Sequence, residues 1–210
     1  MFTGLIKDVG RISDITDLGN GKEAIIECSN EFSTDIAIGD SISINGVCST
    51  AISKTPTSFT VQFLEETLNK TTMGSITATT KVNLEPCLTL QTKLGGHLVS
   101  GHVDDKGTIQ SINNDGEWAV ISIEYNSRFA PFLIPKGSIA IDGISLTVVD
   151  LTNTTFTCHL IPHTLSHTNL HTKSPGDHIN LEFDQVGKYL YRFNELGQDT
   201  IPTQTNNTHH

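Results

Sequence analysis

The stretch "GGHLVSGHVDD", residues 95–105, sets two histidines and two aspartates among three glycines. Imidazole and carboxylate so close together could ligate a divalent cation, and a glycine-flanked loop could cradle a phosphate. The histidines alone do not choose between these or a third purpose. The decisive clue is that the chain begins with a disguised copy of the same stretch, "MFTGLIKDVG".

Shifting the sequence by 97 residues brings its halves into register without a gap. "SISINGVCST" falls on "SIAIDGISLT", "FTVQFLEETLNKT" on "FTCHLIPHTLSHT" and "KVNLEP" on "HINLEF". Between residues 1–89 and 98–186, 24 positions are identical, where ordinary composition gives roughly one in sixteen by accident. The chain is a duplicated domain, and each half is a control for the other. Positions that agree build the scaffold; polar positions that differ are candidates for chemistry. Leu5 faces His102, Gly39 faces Lys136, Cys48 faces Ser145, Glu65 and Glu66 face Pro162 and His163, and Cys87 faces Asp184. The first half lacks the histidines of residues 95–105, so a metal or phosphate site needed in each domain is not the reading. The ladder His159, His163, His167, His171 is discounted as a metal site, because Pro162 and the threonines should break a helix there and the matching stretch has no histidine. Cys28, Cys48, Cys87 and Cys158 form no CxxC pair, which argues against a zinc ribbon, a redox centre or a disulfide framework.

The elements that must position these groups read as β. "EAIIEC", "SISING", "SFTVQFL" and "KVNLE" are short, rich in β-branched and aromatic residues and bounded by turn formers, the pattern of a small closed barrel in each half. "EFSTDIAIG" and "RFAPFLIPKG" could hold a turn or two of helix, as could "EETLNKT" and "HTLSHT". The one sustained helical period is residues 184–196, where Val186, Tyr189, Leu190, Phe193 and Leu196 recur at spacings of three and four. It follows both barrels, so its apolar stripe is expected to pack on another subunit. Gly187 costs it about 1 kcal/mol of propensity. The expected domains are residues 1–92, residues 93–183, the helix 184–196 and a disordered polar tail 197–210, with His209 and His210 in the manner of an expression tag.

Thirteen Lys and Arg against 23 Asp and Glu give a net charge of −10 over 210 residues, spread without blocks. Nucleic acid is not an expected partner. No apolar run approaches a membrane span and the start lacks a secretion signal, so the chain reads as cytoplasmic.

"MFTG" at the start, "NGVCST" at 45–50, "GGHLVSGHVD" at 95–104, "DGISLTV" at 142–148 and "LIPHTL" at 160–165 together resemble riboflavin synthase of the α-chain type, over residues 1 to about 196. The resemblance implies an all-β fold of two tandem six-stranded Greek-key barrels with a C-terminal α-helix, assembled as a homotrimer, with lumazine synthase a candidate partner. It implies a transferase that dismutates two 6,7-dimethyl-8-ribityllumazine molecules, one giving four carbons to the other, to yield riboflavin and 5-amino-6-ribitylamino-pyrimidinedione, with no metal or organic cofactor. Each half is then expected to hold one lumazine. Gly4, Leu5 and Ile6 with Cys48, Ser49, Thr50 and the segment Gln62, Phe63, Leu64, Glu65, Glu66, Thr67 hold the first. Gly101, His102, Val103, Lys136, Ser145, Leu146, Thr147 and the segment His159, Leu160, Ile161, Pro162, His163, Thr164 hold the second. By the same resemblance Cys48, or a water near it, adds to the acceptor ring, His102 moves the proton, Ser145 and Asp184 assist, and Phe2 closes the N-terminal site. Ser49 stands where many relatives carry a bulkier apolar residue, a departure that bears on first-site packing.

Each assignment has a plainer rival. Cys48 could be a small core residue, His102 a loop histidine bonded to backbone, Asp184 a helix cap, and Lys136 a solvated turn residue. At the level of the whole chain, a non-catalytic lumazine- or flavin-binding antenna protein and a purely structural pair of barrels are the alternatives.

Overall fold

A computed structural model describes residues 1–198. The first half contributes β1 (Asp8–Asp17), β2 (Gly21–Glu27), α1 (Asn30–Asp35), β3 (Ser41–Ile44), β4 (Val47–Thr50), β5 (Ser53–Thr55), β6 (Ser58–Leu64), α2 (Glu65–Lys70) and β7 (Lys81–Pro86). The second contributes β8 (Asp105–Asp115), β9 (Trp118–Glu124), β10 (Ser138–Ile141), β11 (Ile144–Leu151), β12 (Thr155–Leu160), α3 (Pro162–His167) and β13 (His178–Phe183), and α4 (Gln185–Gln198) follows. Alternation decides which side chains go inward: Phe59, Val61 and Phe63 of β6 are buried while Gln62 and Leu64 point out, and β12 repeats the pattern with Phe156, Cys158 and Leu160. Each barrel has its own apolar core.

The second half closes into a six-stranded barrel in the order β10-β11-β12-β9-β8-β13, in which β13 returns beside β10, a Greek key. The first half is a seven-stranded sheet in the order β4-β3-β7-β1-β2-β6-β5. Its two ends, β4 and β5, are pieces of what β11 makes as one strand. Regular pairing lapses at Ala51 and Ile52, yet hydrogen bonds continue through them: the Ala51 N–H donates to the Asp40 carbonyl at 3.0 Å, the Gly39 N–H donates to the Ala51 carbonyl at 2.8 Å, and the Ile52 N–H donates to the Thr60 carbonyl at 2.9 Å.

The short helices fall where the sequence places them, with one correction. Pro162 does not break a helix; it occupies the first turn of α3, where its missing N–H has no partner to lose. α4 runs to Gln198, so Gly197 and Gln198 are helical; the expected tail beyond them, His209 and His210 included, lies outside the described residues. Gly187 has a use: a Cβ there would stand 3.1 Å from the Phe132 carbonyl, so glycine lets α4 approach the 3₁₀ turn Ser127–Phe132. Tyr191 then meets Phe132 edge-on at 5.3 Å between ring centroids.

The halves pack about a local two-fold axis. Phe2 pairs with Val99, its own duplicate, through two backbone hydrogen bonds of 2.7 and 3.1 Å. The Asn45-Gly46 and Asp142-Gly143 turns join their hairpins with positive φ at both residues, the two-residue geometry that matches strand twist. The turns also abut: a Cβ on either glycine would lie 2.8 Å from the other's nitrogen. Buried amides staple the seam. Asn83 donates to the Asp142 carbonyl at 3.0 Å and accepts from the Asn169 N–H at 2.7 Å, and Asn180 donates to the Asn45 carbonyl at 2.8 Å and accepts from the Thr72 N–H at 2.8 Å.

Candidate active site

Two buried carboxylates shape the site. Glu85, near the end of β7, accepts from the Thr3 N–H at 2.7 Å, the Thr3 hydroxyl and the Gly4 N–H at 2.9 Å. Glu182, its duplicate on β13, accepts from the Ser100 N–H, the Ser100 hydroxyl and the Gly101 N–H at 2.6, 2.8 and 2.9 Å. Burial pushes both carboxyls above the usual range, with the hydrogen bonds opposing it. Each clamp holds a glycine in the left-handed region, φ +76° at Gly4 and +82° at Gly101.

The clamped loops cross the axis. The Ser145 N–H of β11 donates to the Gly4 carbonyl at 2.8 Å, and the Cys48 N–H of β4 donates to the Gly101 carbonyl at 2.8 Å. A Cβ on Gly4 would come within 2.6 Å of Ser145 Cβ, and one on Gly101 within 2.6 Å of Cys48 Cβ and 2.8 Å of the Phe2 ring. Farther along, Ile6 packs on the second barrel's core and Val103 on the first's. This corrects the expected grouping. Gly4, Leu5 and Ile6 belong with Ser145, Leu146 and Thr147, and Gly101, His102 and Val103 belong with Cys48, Ser49 and Thr50. A two-fold axis exchanges the segments, whereas the sequence shift only says which positions are equivalent.

Alternation sorts the candidate segments further. Cys48, Thr50, Ser145 and Thr147 point out of their barrels; Ser49, Phe63, Leu146 and Leu160 point into the cores, leaving only backbone for a ligand. Ser49 carries its hydroxyl into the first core with no hydrogen-bond partner, where the second half has Leu146. Gln62 and His159 are exposed on their strands, and Glu65, Glu66 and Thr67 on α2 match Pro162, His163 and Thr164 on α3, preceded by Leu64 and Ile161. Lys136 is exposed at φ +66°, where the first half uses Gly39. Phe2 is wholly buried in the seam beside Val99, Ala140, Cys48 and Cys87, so it supports the Gly101 loop from beneath and does not close a mouth.

The second half carries imidazoles at the site that the first lacks. His97 Nδ1 lies 2.7 Å from Ser145 Oγ. Burial lowers the imidazole's pKa, and the charge of Asp184 pulls it back up. Asp184 also caps α4, accepting from the Val186 N–H at 2.9 Å, so the plainer role for this residue holds beside the electrostatic one. His102 is exposed, with its backbone N–H on Ser100 Oγ at 3.1 Å, and lines a cavity of about 460 Å³ with Asp104, Lys188, Tyr189 and Arg192. The equivalent cavity of about 550 Å³ has Leu5, Lys7 and Cys87 on its walls. His163 and His167 stack at 4.0 Å on α3, and among the described residues no group of three or more His, Cys, Asp or Glu side chains is arranged to hold a metal ion.

A family model described as lumazine binding domain matches residues 3–86 and again residues 100–184. The chain is 38% identical over 205 residues to the riboflavin synthase of Bacillus subtilis (strain 168), spanning 98% of this chain and 95% of that protein. It is 40% identical over 193 residues to the riboflavin synthase of Actinobacillus pleuropneumoniae, spanning 92% and 89%. The chain belongs to the riboflavin synthase family. Among solved structures, LumP complexed with 6,7-dimethyl-8-(1'-D-ribityl) lumazine superposes with a TM-score of 0.80 at 19% identity, covering 88% of this chain and 99% of that one. LumP complexed with riboflavin gives 0.81 at 21%, covering 88% and 100%. At those identities the likeness bears on fold alone, and the fold shared with LumP is the one described above. No helix among the described residues is long and apolar enough to cross a membrane.

Proposed function

We propose that the chain converts two 6,7-dimethyl-8-ribityllumazine molecules into riboflavin and 5-amino-6-ribitylamino-pyrimidinedione, one molecule giving four carbons to the other. The observation that carries this reading is the pair of equivalent clefts with unequal chemistry: a thiol at Cys48 beside Gly101 in one, a hydroxyl at Ser145 held by His97 beside Gly4 in the other. Equivalent clefts suit two identical reactants, and unequal groups suit donor and acceptor roles. The methyl of an electron-poor pterin ring is acidic, so the protein needs to orient two rings and move protons. Orientation is the larger contribution, up to roughly 11 kcal/mol in the best cases, against about a hundred- to ten-thousandfold from acid–base groups.

In this reading His97, kept neutral by burial, accepts a proton through Ser145, Asp184 steadies the resulting imidazolium, and His102 exchanges protons at the other cleft. Cys48, or a water beside it, adds to the acceptor ring. Gly4 and Gly101 let backbone approach the rings, Ser and Thr groups meet the ribityl hydroxyls, and Lys136 reaches from a turn that elsewhere uses glycine. The exposed stripe Val186, Tyr189, Leu190, Phe193 and Leu196 supports a homotrimer with the productive pair of clefts shared between neighbours; the same reading puts the chain in the cytoplasm, with lumazine synthase supplying substrate. Sedimentation velocity reading a single-chain mass at concentrations of full activity would remove the trimer. For the chemistry, His97→Gln and Ser145→Ala should each lower riboflavin formation about a hundredfold or more while lumazine fluorescence still titrates. Unchanged rates in both would remove these groups from the mechanism. An antenna-type protein would bind lumazine and return it unaltered.

A further inference from the structure

The C-terminal helix does more than offer an apolar stripe to a neighbour. An adjoining face, which shares Tyr189 with that stripe, forms one wall of the His102 cavity through Gln185, Lys188, Tyr189 and Arg192. The helix is fastened there at one point. Lys188 Nζ lies 2.6 Å from Asp104 Oδ2, with the two side chains 27% and 19% exposed, so the pair is better shielded from water than the chain's other ion pairs with both partners partly exposed, such as Arg11 with Glu27. The same Asp104 oxygen accepts the Phe183 N–H at 2.8 Å. Asp104 thus ties the strand end of β13 to α4, two residues after His102.

The neighbouring carboxylate completes the frame. Glu182, one residue before Phe183, holds Ser100 and Gly101, and Ser100 Oγ accepts the backbone N–H of His102. Lys188 acts on Glu182 as well, its charge pulling that carboxyl's pKa down against burial. The first half keeps the Glu85 clamp but has Lys7 where Asp104 stands and no helix behind it; its cavity is walled by the linker at Thr89, Thr92 and Lys93. Of the two loops, among the described residues, the histidine-bearing one is fastened to a helix, and that helix carries an exposed apolar face.

We propose that Lys188 is a positioning residue for His102: through Asp104 it fixes the loop Ser100–Asp104 to α4, so that the seating of the helix sets the geometry of the His102 cavity. This rests on the proposed riboflavin-forming reaction. The test is the full chain carrying Lys188→Met, Asp104→Asn, and the conservative Lys188→Arg, which keeps the Asp104 carboxylate on the Phe183 N–H, assayed for riboflavin formation with the sedimentation coefficient and melting temperature recorded for each. Lys188→Met leaves the apolar stripe intact, so its assembly should match the unaltered chain while kcat falls tenfold or more and KM moves less. Lys188→Arg should keep at least half, on a logarithmic scale, of the kcat that Lys188→Met loses, a rescue through the ion pair that loss of helix stability alone does not predict. Full kcat in Lys188→Met, or a loss just as large in Lys188→Arg, would overturn the assignment. An unaltered chain that forms no riboflavin would instead overturn the reaction on which it rests.

Discussion

At the residue scale, the proposed chemistry falls to groups that a half-to-half comparison treats unevenly. Cys48, Ser145 and His102 stand out because their duplicates differ. His97 does not, because it lies just before Leu98, the partner of Met1, and so has no duplicate to be compared with. Glu85 and Glu182 are passed over for the opposite reason: they are identical, and identity was read as scaffold. Yet they hold both site loops. The sign of the electrostatics at His97 gives a prediction. Burial lowers its pKa and Asp184 raises it, so Asp184→Asn should lower it further. The acid limb of the pH–rate profile for riboflavin formation should then move to lower pH, with the loss of rate on acidification beginning later. A limb that stays in place or moves upward would show that His97 is not the group titrating.

At the element scale, the strand periods, the short helices and α4 were legible from alternation and from the three-and-four spacing. The lapse of pairing at Ala51–Ile52 and the helical use of Pro162 were not. Strand continuity depends on a partner several strands away, and proline's effect depends on whether it falls in the first turn or later. The exchange of loops between halves was likewise invisible, since register names equivalents and not neighbours. It makes a prediction at a distance in sequence. Gly101→Ala belongs to the second half but crowds Cys48 Cβ and the Phe2 ring in the first, at a φ that alanine resists. It should weaken the Cys48 cleft by about tenfold or more in a lumazine fluorescence titration and leave the Ser145 cleft near its original affinity. Equal weakening of both, or of the Ser145 cleft alone, would contradict the exchange.

At the scale of the whole molecule, the seam between barrels is where duplication has drifted. The first half meets the axis with Asn45 and Ile76; the second has Asp142, wholly buried, and Lys173 at 3.3 Å. Burial raises the Asp142 carboxyl and Lys173 counters it. Removing one member of a buried pair costs about 3–5 kcal/mol, while replacing both with neutral groups that pack is often neutral or stabilising. Lys173→Ile should therefore lower the urea midpoint sharply. Lys173→Ile with Asp142→Asn, which restores the first half's residues, should return it to near the original value. The raised carboxyls of Asp142, Glu85 and Glu182 also set a direction with pH. A folded state that holds its protons more tightly loses stability as pH rises from the ordinary carboxylate value through the raised one, and Asp142→Asn should flatten part of that slope. Steeper pH dependence in the variant would contradict the direction given to Asp142.

The most direct test of the central claim is to mix the purified chain with 6,7-dimethyl-8-ribityllumazine, with no metal added, and follow riboflavin by absorbance and fluorescence. Two equivalent clefts with unequal groups predict that lumazine is consumed and riboflavin appears at half its molar amount, and that Cys48→Ser or His102→Gln slows the conversion. Lumazine that binds and is recovered unchanged would contradict the claim and leave a binding protein on a riboflavin synthase scaffold.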